Sequence, residues 1–330
     1  MAREASITII GTSHMDFIAY VDRFPEAGET IIGSGFVTAP GGKGANQAVA
    51  ASRIGATCYL VSKIGDDFVG ERLLENASKN GIKTNYIRKD PRSNSGVALI
   101  FVNAKGENMI SVIPGVDRLI SKEDVRYAER GISSSSVVLT QLEIPLMTAQ
   151  FAMRFAKRMG KKTILNPAPA SELKEEVLHH IDFLTPNKGE LAKLTRKKII
   201  DDKSTLDASR ILIEKGVKYV IVTLGKRGAM LITETEYELI PSYDVEVVDT
   251  VGAGDAFNGA LAVAISLDCE IREAIRFANL VAALKVTKKG AQAGLPTLQE
   301  VINFARSRRI EGLPKILFEK IRGIERKNFE

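Results

Sequence analysis

Residues 249–260 read DTVGAGDAFNGA, and the rest of the chain is interpreted from that stretch. Three small residues, Gly252, Ala253 and Gly254, stand directly before an acid, Asp255, and a run of helical character follows. One reading is a glycine-containing helix start capped by an acid. The other is an anion site, because glycines leave backbone N–H groups unobstructed at a helix N-terminus, where the dipole favours negative charge. Such amides suit the charge that develops on a phosphoryl group in transfer, and an adjacent carboxylate can accept the proton of an attacking hydroxyl. A carboxylate facing an anion site is electrostatically awkward unless it does chemistry, which favours the second reading.

A second glycine-rich helix start lies upstream, in APGGKGANQAVAASRIG at residues 39–55. Its glycines would let backbone amides approach an oxygen-rich ligand, with Lys43 and Asn46 reaching it by their side chains. A tight turn with close helix packing and no ligand explains the same residues. The spacing is not that of a nucleotide-binding GxxxxGK[ST] loop.

Around these two segments, short β-branched runs alternate with longer amphipathic ones. SITIIG, CYLVSKIG, SVVLTQL, KTILNP, DFLTPN and YVIVTLG read as strands, and the alternation predicts parallel βαβ units with helices on both faces of one sheet. The runs end at Gly11, Gln141, Asn166, Asn187 and Gly225, and the carboxyl ends of strands in such a sheet form the ligand crevice. FIAYVDRFPEAGETIIGSGFVT and SGVALIFVNAKGENMISVI break the rhythm and read as antiparallel hairpins near 17–38 and 95–113, forming a small flap beside the main sheet. The expected organisation is one α/β domain over 1–310 with that lid. Residues 311–330 form a C-terminal extension in which Ile316, Leu317, Ile321 and Ile324 recur at helical spacing, so a helix packed on the body or on a partner subunit is expected.

Composition narrows the function classes. The 330 residues carry 46 basic and 40 acidic side chains, interleaved, for a net charge of +6. No basic block alternates with aromatics and tryptophan is absent, which argues against nucleic acid as a partner. No apolar run approaches the ~20 residues of a membrane span and the first residues lack a signal-peptide pattern, so a soluble cytoplasmic protein is expected. The two cysteines, Cys58 and Cys269, have neither metal-ligand nor redox spacing, in keeping with a reducing compartment.

Taken in order, GGKGANQAVAA, LNPAPA, TPNKGE, TLGKRG, DTVGAGDAFNGAL and VTKKGAQ resemble the ribokinase family of ATP-dependent sugar kinases, over residues 5 to 310 or so. The resemblance implies a ribokinase-like α/β fold, a central mainly parallel sheet flanked by helices, with a small β-sheet lid that in many members pairs two subunits into a homodimer. It implies Asp255 as catalytic base, with Gly252, Ala253 and Gly254 as the anion hole. Asp16, Gly42, Lys43, Asn46 and Glu143 match positions that hold the sugar hydroxyls. Asn187, Thr223, Gly225, Gly228 and Asn279 match positions around ATP, and Glu190 matches the acid that acts on Mg²⁺ through bound water. Lys226 and Arg227 stand open between phosphate contact and simple solvation.

The family's monovalent cation, K⁺, maps onto the Asp249 carboxylate and the backbone carbonyls of Val251, Lys285, Lys288 and Gly290. Gly294 stands where the family pattern often has a serine ligand. His14, in GTSHMD, stands where an asparagine usually meets the sugar; it offers one bond per ring nitrogen and is larger, so pocket shape and hydroxyl choice are both open to change. The implied activity is transfer of the γ-phosphoryl group of ATP to O5 of D-ribose, giving ribose 5-phosphate. The alternatives are 2-deoxyribose, another sugar or a nucleoside as acceptor, and, more remotely, a non-catalytic sugar or nucleotide sensor.

Overall fold

The computed structural model describes residues 4–310. Its strands are β1 (Ser6–Ile10), β2 (His14–Tyr20), β3 (Gly35–Gly41), β4 (Thr57–Gly65), β5 (Ile87–Asp90), β6 (Gly96–Val102), β7 (Asn108–Ile113), β8 (Val137–Thr140), β9 (Lys162–Leu165), β10 (Phe183–Leu184), β11 (Tyr219–Thr223), β12 (Ala229–Ile232) and β13 (Tyr237–Ile240). The helices are α1 (Lys43–Arg53), α2 (Phe68–Lys79), α3 (Lys122–Tyr127), α4 (Glu129–Ser134), α5 (Leu146–Arg158), α6 (Glu175–Leu178), α7 (Lys188–Thr195), α8 (Asp202–Glu214), α9 (Ala253–Ser266), α10 (Ile271–Val286) and α11 (Leu298–Ser307).

The six β-branched runs are strands β1, β4, β8, β9, β10 and β11, joined in one nine-stranded sheet in the order β13-β12-β11-β10-β9-β8-β1-β4-β5. From β5 to β11 every pairing is parallel. A parallel sheet covered on both faces needs apolar residues on both, and alternate side chains divide between two cores. Ile7, Ile9, Val137 and Leu139 pack with Val49 of α1, Leu261 of α9 and Leu280 of α10. Ile10 and Val138 point the other way, toward Val125 of α3, Met153 of α5, Leu191 of α7 and Leu212 of α8. The antiparallel edge β12–β13 was not among the expected strands; its residues 229–240 close the sheet as a short hairpin after TLGKRG.

The two expected hairpins are β2–β3 and β6–β7, and parallel pairing of β2 with β6 fuses them into one sheet, β3-β2-β6-β7. The first is wider than its sequence implied. Its connection runs from residue 21 to 34 and includes Ile32, which is 94% exposed. The helix expected over 311–330 lies outside the described residues.

This topology sets the stage for the site. The segments after β1, β8, β9, β10 and β11 emerge on one edge of the main sheet, where α1, α7 and α9 begin, while β2 carries the chain from that edge into the lid.

Candidate active site

Helix α1 starts where the backbone comes closest to the segment after β1. Gly42, its N-cap, has φ 91°, and a Cβ there would lie 2.7 Å from the Thr12 carbonyl oxygen. A Cβ on Gly44 would lie 2.5 Å from the carbonyl carbon of Gly11. These glycines are therefore demanded by packing, which is the ligand-free explanation of the segment. Their effect is still felt at the site, because the close approach brings the Lys43 N–H to 2.9 Å from Glu143 Oε2, which also accepts a short bond from the Thr12 hydroxyl.

Helix α9 starts differently. Gly252 is its N-cap at φ 79°, and the Ala253 N–H donates back to the Thr250 carbonyl at 3.1 Å. Of the three expected amides, that of Ala253 is thus turned inward, because the tight turn uses it. A Cβ on Gly254 would meet nothing within 4 Å, so this end of the helix opens on space.

Asp255 follows, 6% exposed, one residue past the open turn. Its two oxygens accept from Asn46 Nδ2 at 2.9 Å and Gln47 Nε2 at 3.0 Å, consecutive residues of α1. Burial raises its pKa, against the opposing pull of the Lys43 ammonium and of these two amide donors. A raised pKa makes the carboxylate a better proton acceptor near neutral pH. Gln47 is itself fixed through Gln141 and Asn166, at the ends of β8 and β9. Asn46 is engaged at its other end as well, since its Oδ1 accepts from Gln292 Nε2 at 3.0 Å. In the free protein Asn46 therefore orients Asp255.

On the lid side, His14 Nε2 lies 3.3 Å from Asp16 Oδ1. Burial alone would lower the His14 pKa, yet the bond to Asp16 and the charges of Glu143, Asp16 and Asp117 outweigh it, and the net shift is upward. Asp117, in the turn after β7, is buried, and its Oδ1 has no hydrogen-bond partner among the described residues. Burial pushes its pKa up to about 7, with Glu143 adding to the rise and His14 and the Ser13 N–H opposing it. Lys43 also gathers charge: burial lowers its pKa, but Asp255, Glu143 and Glu190 together raise it.

On the opposite side Asn187 caps α7. Its Oδ1 accepts from the Glu190 N–H at 2.8 Å, and the Glu190 carboxylate accepts from the Asn187 N–H at 2.9 Å and from its side-chain amide at 2.8 Å. Burial raises the Glu190 pKa; Lys43 opposes and Asp255 reinforces, which places this carboxylate in the same field as the proposed base. Thr223 bridges to Asn187 across the sheet edge, and Gly225 and Gly228 flank the turn that follows. Asn279, buried on α10, donates to the carbonyls of Ile240 and Pro241, fastening the segment after β13. Arg227 is paired with Asp202 at 2.8 and 2.6 Å, the solvated alternative.

The residues expected around K⁺ come together, but as a closed set. Asp249 Oδ1 and Oδ2 accept from the Val251 and Gly290 amides at 2.9 and 2.8 Å. The Gly290 carbonyl accepts from the Gly294 N–H at 3.2 Å, and the Lys285 carbonyl from the Lys288 N–H at 3.0 Å. Among them lies a positive group already: Lys285 Nζ donates to the Asp249 and Lys288 carbonyls at 2.9 and 3.3 Å. The resemblance implied a backbone oxygen from Lys285, and its ammonium lies among the same residues. These residues do not fit an additional monovalent cation.

The glycine motifs pointed to Asp255 and its neighbours, whereas Thr12, Gln47, Asp117 and Gln292 were missed. Gln47 and Gln292 lie inside quoted motifs, and a polar residue within a run of small apolar ones was the available signal. Asp117 has no such signal in PGVDRL; only the approach of the turn to β2 brings it to His14. Gly96, opposite His14 in the lid register, lacks the Cβ that would lie 2.3 Å from Asp117 Oδ2.

Residues 4–298 match the pfkB family of carbohydrate kinases. Ribokinase of Bacillus subtilis is 41% identical over 90% of this chain and 98% of its own length. Deoxyribokinase of Salmonella typhi is 38% identical over 89% of this chain and 96% of its own. The solved structure of Arabidopsis thaliana ribokinase complexed with ribose and ATP superposes with a TM-score of 0.85 at 29% identity, covering 91% of this chain and 98% of that one. The chain belongs to the pfkB carbohydrate kinase family, with a ribokinase-like fold. It is an ATP-dependent carbohydrate kinase.

Proposed function

We propose that the enzyme transfers the γ-phosphoryl group of ATP to O5 of D-ribose, with Asp255 as the base. The observation that carries this reading is the position of Asp255: buried, oriented from both oxygens by Asn46 and Gln47, and placed beside the empty approach to Gly254. Asp255 takes the proton of the acceptor hydroxyl as the P–O bond forms. The start of α9, which opens on space at Gly254, faces the transferring charge, and Lys43 balances the carboxylates around it. One carboxylate and one amide, Glu190 and Asn187, suit an ion that keeps most of its water and takes its other oxygens from phosphates, as Mg²⁺ does. When bound, that ion neutralises phosphate charge.

Asp16, Glu143 and Asp117 offer more acceptors than the protein's own donors use, which suits a polyhydroxylated sugar and penalises an analogue lacking a hydroxyl. 2-Deoxyribose is the second reading, favoured by His14 and by the deoxyribokinase relative. Initial rates with ribose and 2-deoxyribose under MgATP decide between them. A preference for ribose of tenfold or more, on the order that a lost polar contact supplies, supports the first; preference for deoxyribose, or no reaction with either, overturns it.

The lid supports a homodimer. Phe36, Leu99 and Met109 stand on one face of its sheet and Ile110 and Val112 on the other, all 45–65% exposed on β3, β6 and β7, apolar surface of a kind that marks an interaction site. Light scattering of the chain and of Ile110→Lys tests this, with a shift from dimer to monomer expected. A cytoplasmic location fits the two cysteines, Cys58 and Cys269, which have neither metal-ligand nor redox spacing; among the described residues no helix is long and apolar enough to cross a membrane.

A further inference from the structure

Lys285 is fully buried, an unusual place for a lysine, near the end of α10. Its ammonium lies on two carbonyls, those of Asp249 and Lys288, and no carboxylate pairs with it directly among the described residues. An ammonium has three donors and no acceptor, so an environment of carbonyl oxygens satisfies the charged form and leaves a neutral amine's lone pair unmatched. Burial lowers its pKa, and the Asp249 carboxylate opposes that shift.

The room for this side chain comes from Gly294. A Cβ there would lie 3.1 Å from Lys285 Cε, 3.1 Å from the Lys288 oxygen and 2.7 Å from the Gly290 oxygen. Any side chain at 294 would press on the lysine stem, and a serine hydroxyl there would compete with the ammonium for the same oxygens. The lysine at 285 and the glycine at 294 are thus one structural feature. The carbonyl that Nζ holds belongs to Asp249, three residues before Gly252, and the Asp249 carboxylate in turn binds the Val251 amide. The ammonium therefore acts on the turn that opens α9.

We propose that Lys285 supplies a tethered cation in place of the family's monovalent ion, so that the enzyme reaches its full rate without potassium. Two monovalent cations cannot share these oxygens, because like charges a few ångströms apart in a buried site repel strongly. Lys285 is a positioning residue: it holds the 249–254 turn and adds fixed positive charge behind it, without touching substrate. The proposal rests on the reading of that turn as the one facing the transferred phosphoryl group.

The test compares KCl with N-methylglucamine chloride at equal ionic strength. Three quantities are read: kcat with the preferred sugar, MgADP affinity by calorimetry, and Tm. For the wild type all three are expected to stay the same. Lys285→Met, which keeps the stem and removes the charge, should lower kcat by about 10- to 100-fold, in the range seen when groups supporting a site are lost, with sugar KM little changed. Lys285→Ala combined with Gly294→Ser should gain a response, its Tm, MgADP affinity and kcat rising with K⁺ and not with Li⁺. A wild type activated several-fold by K⁺ overturns the proposal, as does Lys285→Met with full kcat and only a lower Tm, which would mark a structural lysine. If no sugar reacts, the kinase reading fails on its own, and MgADP affinity and Tm still decide whether potassium is felt.

Discussion

Gly44 opens α1 and Gly254 opens α9, on two sides of the same carboxylate, yet the surroundings of the two residues differ. At 44 a side chain would collide with the backbone of Gly11; at 254 it would enter empty space. The first glycine is required by the fold, since it lets α1 press on the β1–β2 connection and so aims Asn46 and Gln47 at Asp255. The second is required by nothing in the protein, which is what a residue kept small for a ligand looks like. Similar sequence motifs can therefore meet packed backbone in one place and open space in another, and the space around the absent Cβ tells them apart.

The largest effect should come from the residue between them. Asp255→Asn is expected to lower kcat by about 10³-fold or more, within the usual range for a general base, while calorimetry still detects sugar and Tm moves little. Near-normal turnover would remove Asp255 from its role. Gly44→Ala should cost about 2–3 kcal/mol of stability, as overpacking does, seen as a lowered Tm, with any loss of rate following the loss of fold. Gly254→Ala should do the reverse: Tm is retained and kcat falls by about tenfold or more as the methyl group crowds the approach of charge to the helix start. If Gly254→Ala unfolds the protein and Gly44→Ala only slows it, the contrast between the two helix starts is wrong.

The smallest effect expected is linked to pH. The Asp117 pKa is raised from 3.8 to about 7, so the folded protein favours the protonated form. Its contribution to stability is complete below the unfolded pKa and is lost as pH rises through about 7. The upward shift of His14 has the same sign. Asp117→Asn should therefore raise Tm at pH 8 by a few degrees, corresponding to about 1–2 kcal/mol, and leave it nearly unchanged at pH 4. An equal effect at both pH values would mean that the carboxyl ionises normally.

Six strands were legible because each is a short β-branched run, and the parallel sheet follows from their alternation with helical segments. The β12–β13 edge was not, because AMLI and YELI are brief and their pairing is set by the turn before them. The lid hairpins could be read one at a time, but not the β2–β6 pairing that joins them, which links residues about 80 apart. At the site, Asp255 and its glycines, Lys43 and Asn187 were visible as motif residues, while Glu143 was named only through the resemblance. Asn279 was assigned to ATP through the resemblance, and in the structure its side chain anchors a backbone segment.

What the sequence alone determined about this protein is its class of fold and its kinship with carbohydrate kinases. Hydrophobic period and glycine placement are local properties, and each run carries its own pattern. What only the tertiary structure decided is the company each polar residue keeps. Asp117 beside His14, Gln47 on Asp255 and the Lys285 ammonium on the Asp249 carbonyl all depend on segments far apart in the chain. A buried charge is set by the partners and the loss of water that folding imposes, and neither can be read from the residues next to it.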